Sequence, residues 1–362
     1  MSIATTIPTW RHVEHDPRLR GLAFGTTWRE QIAVTFDGYA RLFAAAGLSV
    51  ERQRTVALDC FSHAESWAPA LAQEIAAVAD GAGLELWQLA ALNARTELLA
   101  VARAARGECS TFAVAPPAGG PPRTLQTWDW YDHLRDGAVT VELQPRPGRT
   151  VRLFTEFGVV GKIGVNDAGF GLHFNILAHT ADGREEAGVP VHVVARRLLD
   201  EAASVDEAEA LVRDVPLSAS TVLTCVDFDG ARGRVRMLEL SPAGVAAITP
   251  ATRDEGVLLH TNHFLDPGLA AGERMARIDT STGPRLEELR ERALALVGAA
   301  SAEERAAAML DHGGPGLCCH PAADAPFDER WETLATISLD IAQARLRLHA
   351  GGPCADAEWQ TV

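Results

Sequence analysis

The order of residue patterns along this 362-residue chain predicts an α+β domain in which helices flank packed sheets. Three observations carry that expectation. Residues 27–106 repeat apolar side chains at helical spacing. After Gly107 the pattern changes abruptly to short strand-like runs divided by turn residues. Further strands then alternate with one helical block and one helical pair before the chain ends in two more strand-like runs.

Taken in order, Ile32, Phe36, Tyr39 and Phe43 form the first apolar stripe, and Gly47 supplies its stop. Leu71, Ile75 and Val78 form a second stripe, closed by Asp80-Gly81. Leu89, Leu92, Thr96 and Leu99 mark a third helix, running to about Arg106. Strands are expected at 110–115, 124–131, 139–143, 151–157, 162–165 and 170–177. The proline- and glycine-rich stretch 116–122 joins the first two as a hairpin connection. A helical block spans 191–215. Strands 221–228 and 235–240 follow, with Asp229-Gly230 as the turn between them. A strand at 257–262 leads into a helical pair at 284–310, and runs 333–340 and 342–349 close the chain. No internal repeat breaks the chain, which reads as one domain over 1–362.

Composition narrows the function. The formal charge is −15, with 33 basic and 48 acidic residues, so neither nucleic acid nor an anionic membrane is an expected partner. No run of 18 apolar residues occurs, and the first residues lack an apolar signal core, so a cytoplasmic protein is expected. Six cysteines at irregular spacing do not form a disulfide framework. Lys162 is the only lysine, and its place in a strand-like stretch between glycines argues against Schiff-base chemistry.

Motif spacing removes other chemistries. His260 and His263 lie three apart at a strand end, and Cys318-Cys319-His320 offers soft ligands, yet neither matches a zinc signature. A metal hydrolase using His260, His263 and Cys319 is therefore a minor alternative, and no metal or cofactor is expected. The glycines at 158–164 and 169–171 lack the Lys-Ser/Thr of a phosphate loop. No G-x-S-x-G elbow is present. Cys109, at the junction between the helical third and the strands, remains as the candidate nucleophile. Taken alone, it also reads as a small buried apolar residue at a strand start.

Its surroundings favour the nucleophile. The run Gly107-Glu108-Cys109-Ser110-Thr111-Phe112, followed by Gln126-Thr127-Trp128-Asp129-Trp130, resembles the penicillin acyltransferase family. This is the acyl-coenzyme A:6-aminopenicillanic acid acyltransferase group of cysteine N-terminal-nucleophile (Ntn) hydrolases. Further motifs occur in the family's order. Arg20 to Gly25 is similar to its opening strand, and Asn93 to Glu97 to its helix before the cleavage point. Asn166 to Phe170 with Asn175 come next, then His260 to Phe264, Ser281 with Arg285, and Gly351 to Cys354. Penicillin V acylases and bile-salt hydrolases are more distant likenesses.

The resemblance implies a four-layer αββα Ntn-hydrolase sandwich. It also implies a precursor cut between Glu108 and Cys109 into an α-chain or propeptide part, 1–108, and a β-chain, 109–362, that stay together. A homodimer is compatible with it. Cys109 would then attack a small-molecule amide or acyl-thioester substrate, its own α-amine serving as base. By the same resemblance, Asp129 polarises the ammonium or thiol, Asn262 donates to the oxyanion, Asn175 is a second pocket asparagine and Arg285 is the downstream arginine. Gln126, Thr127 and Trp128 fall at substrate-binding positions. Arg95 and Glu97 would form a supporting ion pair. The chain departs from the family pattern at Glu108, where a small residue is usual. It also departs at Thr127, where relatives carry Asn, and at Gln126, where bile-salt hydrolases carry Arg. Amide hydrolysis is the expected outcome, with coenzyme A-dependent N-acyl transfer as the alternative. An uncleaved, non-catalytic binding protein is the alternative from another class.

Overall fold

A computed structural model describes residues 6–104, 109–184, 187–250, 256–312, 314 and 316–362. After a short strand β1 (Thr9–His12), six helices follow: α1 (Pro17–Thr27), α2 (Arg29–Ala45), α3 (Val50–Trp67), α4 (Pro69–Ala82), α5 (Leu86–Asn93) and α6 (Arg95–Val101). The strands β2 (Ser110–Val114), β3 (Arg123–Tyr131), β4 (Ala138–Arg146), β5 (Arg149–Glu156), β6 (Ile163–Asn166) and β7 (Phe170–Ile176) come next. Helices α7 (Val191–Glu201) and α8 (Val205–Val212) lead to β8 (Thr221–Phe228), β9 (Gly233–Ser241), β10 (Gly244–Ile248) and β11 (Val257–His260). Two single turns, α9 (Pro267–Ala270) and α10 (Met275–Ile278), precede α11 (Thr282–Gly298) and α12 (Ala302–Ala308). The last elements are β12 (Trp331–Asp340), β13 (Arg345–Ala350) and β14 (Gln360–Thr361).

The described strands make two sheets. One has the order β1-β4-β5-β6-β7-β8-β9-β10 and the other β11-β2-β3-β12-β13-β14. All neighbours run antiparallel except β1, which lies parallel to β4. The sheets face each other through β2 against β7–β9 and through β12 and β13 against β6. Helices α7 and α8 cover the larger sheet at β5–β9, and α11 and α12 cover the smaller one at β2, β3 and β11. The result is a four-layer αββα sandwich. On β2 the alternation shows the two environments. Ala113 joins the core between the sheets, whereas Phe112 and Val114 pack under α11 and α12 with Leu289 and Leu296.

Most expected elements form within a few residues of their predicted limits, including the 116–122 connection of the β2–β3 hairpin. Three expectations are corrected. Arg20 to Gly25, expected as an opening strand, is the body of α1. Asp16 caps that helix by accepting from the backbone of Arg18 and Leu19, and Pro17 takes its first position. Its glycines serve helix crossing: a Cβ on Gly21 would sit 2.4 Å from the Glu74 carbonyl oxygen, and one on Gly25 would sit 2.3 Å from that of Val78. The helix over 69–82 does not stop at Asp80-Gly81, because Gly81 meets α1 in the same crossing. It ends at Gly83, which takes φ +71. The helix expected to run to about Arg106 breaks at Ala94 into α5 and α6 and ends at Val101. Residues 105–108 lie outside the described residues. Strands β1, β10 and β14 are additions.

The α1–α4 crossing yields a prediction. Gly25→Val forces backbone apart in two helices and lowers the unfolding free energy by about 1–3 kcal/mol. Urea denaturation of variant and wild type measures it, and an unchanged midpoint would show that the crossing is not tight.

Candidate active site

Cys109 is the last residue before β2, and its side chain is buried. Ser110 pairs with Thr127, so Cys109 comes opposite Trp128 and next to Asp129 on β3. The carbonyl of Cys109 is held from two sides. Arg285 on α11 donates from Nη1 at 2.9 Å, and Asn175 on β7 donates from Nδ2 at 3.2 Å. One donor comes from the outer helix layer and the other from the facing sheet.

Each donor is itself fixed. Arg285 is fully buried. It also reaches Ser110 Oγ and Ser281 Oγ, and from Nη2 it reaches Asn262 Oδ1 and Asp279 Oδ2, both at 3.0 Å. Asn175 spends its second amide hydrogen on the Thr261 carbonyl at 3.1 Å. Its Oδ1 accepts from Thr111 Oγ1 and Gln126 Nε2. That leaves Asn175 no N–H for a substrate in this arrangement. Asn262 is different. Its Oδ1 takes the Arg285 bond, its Nδ2 donates to the Ile176 carbonyl at 3.0 Å, and its second amide hydrogen has no partner among the described residues. Its backbone is tied to α11 as well, the N–H donating to Thr282 Oγ1.

Burial, then the charge of Asp129, push the Cys109 thiol up to about 12, while the Asp129 backbone and the charges of Lys162 and Arg285 oppose the rise. Lys162 belongs to a buried cluster that packs on the Trp128 ring. Its Nζ lies 3.5 Å from the Trp128 ring centroid and 2.7 Å from Glu156 Oε2, which also takes Arg95 at 2.7 Å. Burial lowers Lys162 to about 7, against the pull of Glu156. For Glu156, burial favours the neutral form, but Arg95, Lys162 and the Tyr39 hydroxyl overcome it and hold the carboxyl below its usual range. Schiff-base chemistry is not where Lys162 matters; the sequence signal for its buried ion pair is a lone cation in an apolar stretch.

Several expected roles change. Arg95 and Glu97 do not pair with each other, because residues two apart on a helix point in different directions. Arg95 goes to Glu156, and Glu97 accepts the Val191 backbone N–H at the start of α7. Gln126, Thr127 and Trp128, expected at substrate, are buried. Gln126 is spent on β7, donating to the Phe174 carbonyl and Asn175 and accepting from His173, while Trp128 packs on Phe154. Of the residues weighed for a metal hydrolase, His260 bonds Glu239 and His263 bonds Thr282, while Cys319 Sγ reaches the Trp331 carbonyl. Among the described residues these three do not form a ligand cluster. Glu108 lies outside the described residues.

A cavity of about 670 Å³ opens beside Thr333, the β12 partner of Asp129. Its walls include Ile7, Trp28, Phe157 and Leu334, so much of its lining is apolar.

The family model for acyl-coenzyme A:6-aminopenicillanic acid acyl-transferase matches residues 123–355, and the chain belongs to that family. One curated relative is the 40 kDa form of acyl-coenzyme A:6-aminopenicillanic-acid-acyltransferase of Emericella nidulans. It is 28% identical over 197 residues, covering 54% of this chain and 52% of the relative. The chain thus spans about half the length of that relative. Among solved structures, penicillin V acylase from Agrobacterium tumefaciens gives a TM-score of 0.46 at 15% identity, over 70% of this chain and 86% of that one. A Caenorhabditis elegans N-acylethanolamine-hydrolyzing acid amidase ortholog gives 0.43 at 13% identity, over 65% and 96%. No described helix is long and apolar enough to cross a membrane.

The buried acids set a pH dependence. Burial raises both Glu97 and Asp182 to about 7, against the hydrogen bonds each receives. Their folded values lie above unfolded values of about 4, so their stabilising contribution is complete below pH 4 and is lost as pH rises through 7. Glu97→Gln flattens that decline, because Gln keeps an oxygen for the Val191 N–H without ionising. Denaturant titrations at pH 5, 6.5 and 8 measure it. Equal slopes in variant and wild type would contradict the assignment.

Proposed function

We propose that the chain is a self-processing cysteine amidohydrolase that cuts its backbone between Glu108 and Cys109 and then uses Cys109 as an N-terminal nucleophile. The placement of Cys109 carries this reading. Its carbonyl is clamped by Arg285 and Asn175, its thiol lies beside Asp129, and Asn262 keeps an amide hydrogen with no partner among the described residues. Family membership supports the same class of chemistry.

In the uncut chain the thiol is a poor nucleophile, held near 12. Its sulfur adds to the Glu108 carbonyl carbon, the C–N bond breaks, and the departing nitrogen takes the thiol proton. Water then hydrolyses the thioester, giving a carboxylic acid on Glu108 and restoring the thiol. The new α-amine has an ordinary pKa of about 7.7–8.0, so it serves as a base at neutral pH without a histidine. In turnover the thiolate attacks the substrate carbonyl and the amine holds the thiol proton. Asn262 donates to the developing oxyanion, and the proton passes to the leaving amine as the thioester forms. Water releases the acid. Asp129 stabilises the ammonium during this cycle.

The named relative favours a second reading, in which an acyl-coenzyme A thioester acylates Cys109 and an amine accepts the group. Both readings pass through the same thioester. Protein incubated with N-acyl amides or acyl thioesters, quenched in acid and digested should carry the acyl mass on a peptide whose N-terminus is Cys109. Cys109→Ala should carry none. Asn262→Ala should fold and lose about 10²–10³ in kcat. Which acceptor speeds release, water or added amine, separates hydrolase from transferase. An acyl group on another residue, or Asn262→Ala within a few-fold of wild type, would contradict the mechanism. Uncut protein with no acylation would favour a binding protein.

A further inference from the structure

Four side chains that the mechanism does not use converge beside the candidate site, and two of them, His320 and Cys354, also line the 670 Å³ cavity. His312, Cys318 and His320 come from the segment after α12, and Cys354 comes from the turn after β13. One ligand atom from each lies within 4.8 Å of all the others, and among the described residues no other His, Cys, Asp or Glu group does this. Cys354 Sγ is 3.4 Å from Cys318 Sγ and 3.3 Å from His320 Nε2, and Cys318 Sγ is 3.6 Å from His320 Nε2. The His312 ring meets the His320 ring edge to face at 5.3 Å between centroids.

The Cys318, His320 and Cys354 separations match one face of a zinc-sized tetrahedron, and His312 stands within 4.8 Å of all three as the fourth ligand. Zinc bonds of about 2.3 Å to sulfur and 2.0–2.1 Å to nitrogen put neighbouring ligand atoms about 3.3–3.8 Å apart. A set of two thiolates and two imidazoles in that geometry is the donor set of a closed structural zinc site. We propose that His312, Cys318, His320 and Cys354 bind one Zn²⁺ as a structural Cys₂His₂ site. The ligand order, His-x5-Cys-x-His with a cysteine far downstream, matches no compact motif, so spacing alone does not reveal it.

The backbone around the cluster is built for close approach. A Cβ on Gly352 would lie 2.7 Å from Cys318 Sγ, so only glycine lets the C-terminal turn reach the thiol. The loop is also stitched to β12. The Cys319 N–H donates to Thr333 Oγ1 at 2.8 Å, and the Thr333 N–H donates to the Cys319 carbonyl at 3.0 Å. Thr333 is the partner of Asp129, so the metal would fasten two chain segments over the strand position opposite the candidate acid. His312, His320 and Cys354 are exposed, which gives the ion an entry path. On binding, the two thiols release two protons and the ion takes both thiolates and both neutral imidazoles.

The full-length protein, reduced, equilibrated with zinc chloride and desalted, tests this by elemental analysis. Wild type should hold about one zinc per chain. Cys354→Ser and His312→Ala, at exposed positions, should lose most of it while keeping the wild-type circular dichroism. Cys319→Ser, outside the ligand set, should keep the metal. Cobalt substitution of wild type should give the intense visible bands of a tetrahedral thiolate site, and these should vanish in Cys354→Ser. Wild type that holds no more zinc than Cys354→Ser would overturn the proposal. So would wild type whose Cys318 and Cys354 are both shown to be free thiols after reduction and that still takes up no zinc.

Discussion

The Cys109 carbonyl is the fixed point on which the candidate site depends. It receives Arg285 from the outer helix layer and Asn175 from the opposite sheet, and β2 begins at the next residue. Neither donor is free to move, because Arg285 is tied to Asp279, Ser281 and Asn262, while Asn175 spends both hydrogens and its oxygen. A buried arginine with all these partners satisfies its charge. Removing any one would leave a desolvated polar atom, which costs about 1–3 kcal/mol or more. The same guanidinium settles which end of Asn262 is oxygen, and so which end presents its N–H.

Opposing charges act on the thiol. Asp129 and burial disfavour the thiolate, whereas the Lys162 cation over Trp128 and the Arg285 cation favour it. Lys162 itself is held by Glu156, which is held by Arg95 on α6. The helix that precedes the proposed cleavage point is therefore coupled to the nucleophile through a buried ion cluster. Asn93 adds a second tie, taking the Val160 N–H and donating to the Gly158 carbonyl. Buried ion clusters of this kind are poor sources of stability, but breaking one partner leaves an uncompensated buried charge.

Much of the sandwich was legible because strands and helices leave period-2 and period-3.6 patterns. Phe112 and Val114 under α11 alternate with Ala113 in the inter-sheet core, and the β2–β3 hairpin carries its turn residues. Arg20 to Gly25 misled because its glycines serve packing against α4, a contact that local sequence does not encode. Gly81 misled for the same reason from the other side of that contact. At the site, ordered motifs point to Cys109, Asp129, Asn262 and Arg285, but not to how each hydrogen bond is spent. Gln126 and Asn175 look like pocket residues until their amides are followed to partners. The Cys₂His₂ cluster was invisible to spacing because folding, and not sequence proximity, brings Cys354 to His312.

All of this chemistry requires that Cys109 become a chain terminus. Intact-mass spectrometry with N-terminal sequencing of purified wild type and Cys109→Ala tests that requirement most directly. Wild type should give two species, residues 1–108 and 109–362, the second beginning Cys-Ser-Thr-Phe, while Cys109→Ala should give one uncut chain. Wild type that remains a single chain and still cleaves amides would contradict the account.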